Sequence, residues 1–172
     1  ELLGETPTAL LGDDLYSHEP FCRKARLHSL HFIFVCLRES HPALYEYVDL
    51  LEEPDIQTVV QIRKGKSNRS ETWTVRFASN VPLTGGANAL RVNWLELRVR
   101  DHQGAETYVN AWITDIAPTT ENAVDIAASG RARWVVENGN NNVLKTKGYH
   151  FEHNFGHGKK HLCTLLAAMN IL

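Results

Sequence analysis

The sequence predicts an α/β protein, and three observations carry that prediction. Residues 1–55 alternate strand, helix, strand, helix; residues 56–116 hold four strand-like runs separated by turn residues; and from Pro118 the pattern turns helical again. With 172 residues, 43% hydrophobic and 22% charged, the chain can bury a packed core and is not a disordered segment. No apolar run reaches the ~18 residues that a membrane helix needs. The acidic, polar start Glu1 to Thr8 lacks the character of a signal peptide. Cys22, Cys36 and Cys163 lie far apart with no Cys-x-x-Cys pair, which predicts free thiols in a reducing, intracellular compartment. The chain starts on glutamate, which suggests the tail of a longer protein.

The elements follow in order. Ala9-Leu10-Leu11 runs into Gly12-Asp13-Asp14, a short buried strand ending in two carboxylates. Ser17 caps a helix with Pro20 in its first turn, continuing to about Leu27. Phe32 to Leu37 is an apolar, β-rich run expected as a central strand, and His41 to Leu51 has helical spacing, stopped by Pro54. Thr58 to Ile62, Thr72 to Phe77, Leu90 to Val99 and Thr107 to Thr114 read as antiparallel strands set inside the α/β frame. Turn signals stand at Gly85-Gly86 and at Asp101 to Gly104, and Arg63 to Arg69 reads as a hairpin loop. Thr119 or Thr120 caps a helix through Ile126. Arg131 begins another that Gly148 ends, and Lys159 to Leu172 forms the last.

Charge is blocked along the chain. Residues 1–55 carry a net −7, 56–100 a net +6, 101–130 a net −5 and 131–172 a net +4. The two basic blocks suit a phosphate-bearing partner, or equally an ordinary solvated strand surface.

A predicted helix carries the most informative residues. Arg133 and Glu137 stand four apart and share a face. At ~100° per residue, Leu144 falls about 20° and Lys145 about 80° from Glu137 around the axis, so Arg133, Glu137 and Lys145 occupy one half of the helix surface. An exposed ion-pair ladder would look the same and contribute a few tenths of a kcal/mol per pair. The following run, Asn138-Gly139-Asn140-Asn141-Asn142, costs roughly 3–4 kcal/mol in helix propensity relative to alanines. Either a functional site imposes that departure or the helix ends near Gly139 and the asparagines form a loop.

These residues resemble a known family. Arg133-Trp134-Val135-Val136-Glu137-Asn138, then Asn142-x-Leu144-Lys145, then Gly148-Tyr149-His150-x-x-His153-Asn154-x-Gly156-His157-Gly158 are similar to the tail of bacterial insertion-sequence transposases of the DDE type. Gly12-Asp13-Asp14-Leu15-Tyr16 resembles the family's strand-ending second aspartate, and Ile113 to Asn122 its exit from an inserted β domain. The resemblance spans essentially the whole chain in the family's order. Against the signature Tyr-x2-Arg-x3-Glu-x6-Lys, Arg133 and Glu137 match; the tyrosine position is Gly130, and the lysine position is Leu144 with Lys145 one residue late.

The resemblance implies an RNase H-like mixed sheet with flanking helices, interrupted by an antiparallel β insertion and lacking the first strands. Residues 1–55 would be the RNase H-like portion, 56–116 the insertion and 117–172 the C-terminal helices. It implies metal-dependent DNA cleavage and strand transfer, with Asp13 (or adjacent Asp14) and Glu137 as catalytic acids holding Mg²⁺ or Mn²⁺. Hard carboxylate oxygens suit those ions, which activate the attacking oxygen and stabilise the leaving one. Arg133 and Lys145 would grip phosphates, and Asn138, Asn142 and Trp112 would face DNA, Trp112 by stacking a flipped base in competition with Trp73 and Trp94. Transposon ends and target DNA would be the partners, a homodimer the working assembly, and the bacterial cytoplasm, at the nucleoid, the location. The first aspartate would lie upstream of Glu1, so this chain alone would be inactive. Two other readings compete. One is a zinc module built on His150, His153, His157 and His161, interrupted as a helix by Gly156 and Gly158; the other is a non-catalytic β-rich interaction domain.

Overall fold

The computed structural model describes residues 8–64 and 69–135. The chain divides into two compact units, Glu1–Gly130 and Arg131–Leu172. The first contains a six-stranded mixed sheet: β1 (Ala9–Gly12), β2 (His31–Val35), β3 (Ile56–Lys64), β4 (Ser70–Pro82), β5 (Arg91–Arg100) and β6 (Glu106–Thr114), in the spatial order β1-β2-β6-β5-β4-β3. The protein is therefore α/β, as the alternation of elements predicts.

β1 and β2 are parallel, which requires a crossover, and α1 (Glu19–Leu27) supplies it. Pro20 sits in its first turn, but His18 rather than Ser17 occupies the N-cap position, without a side-chain capping bond. α1 turns Cys22 and Ala25 inward toward Phe32 and Phe34. α2 (Pro42–Asp49) buries Leu44, Tyr45 and Val48 in the same layer, where the Tyr45 hydroxyl donates to the Cys36 carbonyl at 2.7 Å. β1 corrects the expectation of a buried strand. Among the described residues it is an edge strand with one neighbour, β2, and Leu11 is 41% exposed. β2, by contrast, is buried from Phe32 to Val35.

Strands β3 to β6 continue this sheet: β6 pairs antiparallel with β2 through Ile33–Thr114, Phe34–Ile113 and Val35–Trp112. The Gly85-Gly86 turn lies between β4 and β5. At the second turn, Asp101 accepts the Gln103 and Ala105 N–H groups at 2.8 and 2.9 Å while Gly104 takes a φ of +84°, open to glycine at little cost. On the opposite face, α3 (Ala123–Val135) packs Ala123, Val124, Ile126 and Ala127 against Val75, Leu95, Leu97 and Trp112. It is one helix where two are expected. Thr119 supplies the entry: its hydroxyl accepts the Asn122 N–H at 3.3 Å while Asn122 returns a bond to the Thr119 N–H at 2.7 Å. Among the described residues no helix is long and apolar enough to cross a membrane.

Candidate functional site

The carboxyl ends of parallel strands are where open α/β sheets gather ligands, and both strand-ending aspartates lie there. β1 ends at Gly12, where nothing larger fits: a Cβ at this position would fall 2.7 Å from Phe34 Cδ1 and 3.1 Å from Tyr16 Cδ2. The chain then turns through a 3-10 segment, Asp14–Tyr16. Asp13 caps it, its carboxylate accepting the Leu15 N–H at 3.1 Å from an exposed position.

Asp14 has different work. Its carboxylate accepts the Leu37 N–H at 2.7 Å, tying the end of β1 to the chain leaving β2. It also lies 3.7 Å from Nε2 of the buried His41. The Ser17 hydroxyl donates to the Asp14 carbonyl at 2.6 Å, and Ser17 Oγ stands 2.6 Å from His41 Nε2. With the hydroxyl proton committed to that carbonyl, Ser17 can only accept from His41, which places a proton on Nε2. Burial pushes the His41 imidazole below its ordinary value, the Asp14 charge pulls partly back, and neighbouring His18 pushes down again. This is a fastening, not a nucleophilic serine: Ser17 is fully buried and its proton already has an acceptor. Of the two adjacent aspartates, Asp13 is therefore the one left facing solvent.

Among the described residues no three His, Cys, Asp or Glu side chains converge on a metal position. Asp13, an exposed hard-oxygen donor at a strand end, suits one corner of a Mg²⁺ site. Glu137, Asn138, Asn142 and Lys145 lie outside the described residues, as do His150, His153, His157 and His161 of the zinc reading and Cys163. Arg133 lies in the last turns of α3, half-buried. Cys22 and Cys36 are free and buried, and burial pushes the Cys22 thiol up to about 12, so neither is a nucleophile at neutral pH.

Trp112, expected against DNA, is a core side chain at 1% exposure, enclosed with Leu95, Leu97 and Ala127. Its Nε1 has no hydrogen-bond partner among the described residues. Its ring lies against Gly130, where a Cβ would fall 2.7 Å from Cε2 and 2.8 Å from Nε1. That contact leaves no room for a side chain at position 130, and base stacking on Trp112 would require opening this core. Trp94 is equally enclosed, and Trp73 carries the Arg63 guanidinium 4.6 Å over its ring. Asp115 sits at the other end of β2, accepting the Phe32 N–H and facing His31 Nδ1, both at 2.9 Å.

Sequence reasoning missed the Ser17–His41 fastening. His41 reads only as a helix start and Ser17 as a cap, and no local signal links residues twenty-four apart. A cavity of about 380 Å³, lined by Tyr47, Asp55, Ser79 and Asn80 among others, shares no residue with the aspartate site. No family model matches the chain, and no curated protein matches it.

Proposed function

We propose that this chain is the later part of the catalytic domain of a DDE-type transposase, an RNase H-like sheet extended by the inserted strands β3–β6, acting on transposon ends and target DNA. The observation that carries the reading is the exposed Asp13, at the carboxyl end of a strand in a parallel β–α–β unit and in the family's second-aspartate motif. Asp13 and Glu137 would hold Mg²⁺ or Mn²⁺ with a third carboxylate from preceding chain, and the bound metals would supply Lewis-acid activation for phosphodiester cleavage and transfer. Arg133 and Lys145 would neutralise phosphate oxygens, and Asn138 and Asn142 would orient the strand beside them. A homodimer on the bacterial nucleoid is the working assembly in this reading.

The test uses the complete enzyme. Asp13→Asn and Glu137→Gln are each expected to retain DNA binding, measured by mobility shift, and to lose Mg²⁺-dependent cleavage by at least ~100-fold, because an amide supplies no anionic oxygen. Asp14→Asn is expected to retain cleavage. Near-normal cleavage by Asp13→Asn would remove Asp13 from the site.

A further inference from the structure

The two edges of the sheet are built differently. β1 runs for only four residues. β3 runs for nine, and Ile56 to Ile62 contains no charge, proline or glycine. Its ladder to β4 runs without irregularity from Ile56–Ala78 to Lys64–Ser70, whereas the β4–β5 and β5–β6 ladders both shift register. Bulges, prolines and inward charges are the usual protection of a free edge, and β3 has none of them over those seven residues. Val60 and Ile62 on it are 61% and 73% exposed. A long, regular, apolar edge of high β propensity is a surface shaped for another strand.

The charges flanking β3 select the partner. Before it stand exposed Glu52, Glu53 and Asp55; at its far end stands exposed Lys64, beside Arg63, whose guanidinium lies over Trp73 and 3.5 Å from Asp125 of its own chain. Antiparallel pairing of two copies sets the acidic end of each against the basic end of the other, twice, whereas parallel pairing would stack like on like. A two-fold axis at Val60 sets Val60 opposite its own copy, Thr58 opposite Ile62 and Ile56 opposite Lys64, keeping each pair on one face of the joined sheet. We infer that β3 is a self-association edge, through which two copies of this chain form an antiparallel, twofold dimer with a continuous sheet. Among the described residues each copy has one such edge, so the contact closes at two.

The pairing needs no DNA and does not rest on the transposase reading. It is tested on the full 172-residue chain, without nucleic acid, by sedimentation velocity from ~1 to ~200 µM, a range suited to an interface at the small end of the size scale. The expected result is a monomer–dimer equilibrium. Val60→Lys, which sets two ammonium groups face to face at the axis, is expected to weaken it at least about tenfold with an unchanged circular dichroism spectrum. In a Cys163→Ser background, Val60→Cys is expected to form a disulfide-linked dimer under mild oxidant, and Leu50→Cys, 82% exposed but off the edge, is not. A monomer throughout the range would give the edge to some other occupant and overturn the proposal. So would growth beyond dimers, undiminished dimerisation of Val60→Lys, or equal crosslinking at residues 60 and 50.

Discussion

One face of the sheet changes character along its own strands. On β5, Val92 and Trp94 are buried beneath the layer that α1 and α2 build, and two residues further the same face presents Glu96, Arg98 and Arg100. On β4 the same step runs from buried Ala78 to half-buried Arg76, Thr74 and Thr72. The opposite face does not change: Leu95, Leu97 and Val99 are all fully buried. The covered half of the first face carries the strand-end aspartates, whose backbone is fixed by fully enclosed neighbours. The uncovered half is held by backbone ladders and by ion pairs of Glu96 with Arg98 at 2.9 Å and Arg76 at 3.7 Å. Precision of placement follows from coverage, and the uncovered half keeps its side chains available for contacts.

The largest test of that difference is Trp94→Ala, which removes a large side chain from the covered half at 1% exposure. It is expected to cost about 3–5 kcal/mol in urea denaturation. Asp14→Ala comes next, leaving the Leu37 N–H unpaired and costing about 1–3 kcal/mol, while Asp13→Asn, an equally good cap at an exposed site, is expected to change stability by only a few tenths. Equal losses in the two would erase the distinction between the adjacent aspartates.

His41 gives a pH signature. Its folded-state value lies below its unfolded one, so the unfolded chain binds more protons as the solution becomes acidic. The contribution of the neutral imidazole is complete above the ordinary histidine value and is lost as pH falls from there toward the folded value. Denaturation midpoints compared at pH 7.5 and ~5.5 are expected to fall on acidification in the wild type, and to fall less in His41→Gln. The smallest effect belongs to the uncovered half. Arg98→Ala removes a side chain 42% exposed and is expected to cost below about 1 kcal/mol, less again in salt. A loss comparable to Trp94→Ala would mean that this half is packed as tightly as the other.

The local parts of this architecture were legible in the residues themselves. Pro20 opens a helix, Gly104 completes a turn, and strand-like runs bounded by turn residues mark β4 to β6. What could not be read is non-local. β1 is as apolar as an interior strand, and only its place in the sheet leaves Leu11 exposed. Ser17 is a good cap by type but is drawn inward by His41, a partner that exists only after α2 has docked. The two predicted helices after Pro118 merge because Ser129-Gly130, which locally reads as a break, is held helical by packing on Trp112. At the candidate site, the motif marked both aspartates alike, and the Leu37 N–H that distinguishes them arrives from the end of a different strand.

The contact between Gly130 and Trp112 also constrains how this sequence can drift. A side chain cannot be gained at 130 while a tryptophan ring stands 2.7 Å from where its first carbon must go. Residue 112 would have to shrink first, and that step alone opens a cavity in the core, so the intermediate is less fit by stability than either endpoint. The two positions should therefore exchange bulk in compensated pairs: descendants and cousins of this chain that carry an aromatic residue at 130 are expected to carry a small one at 112.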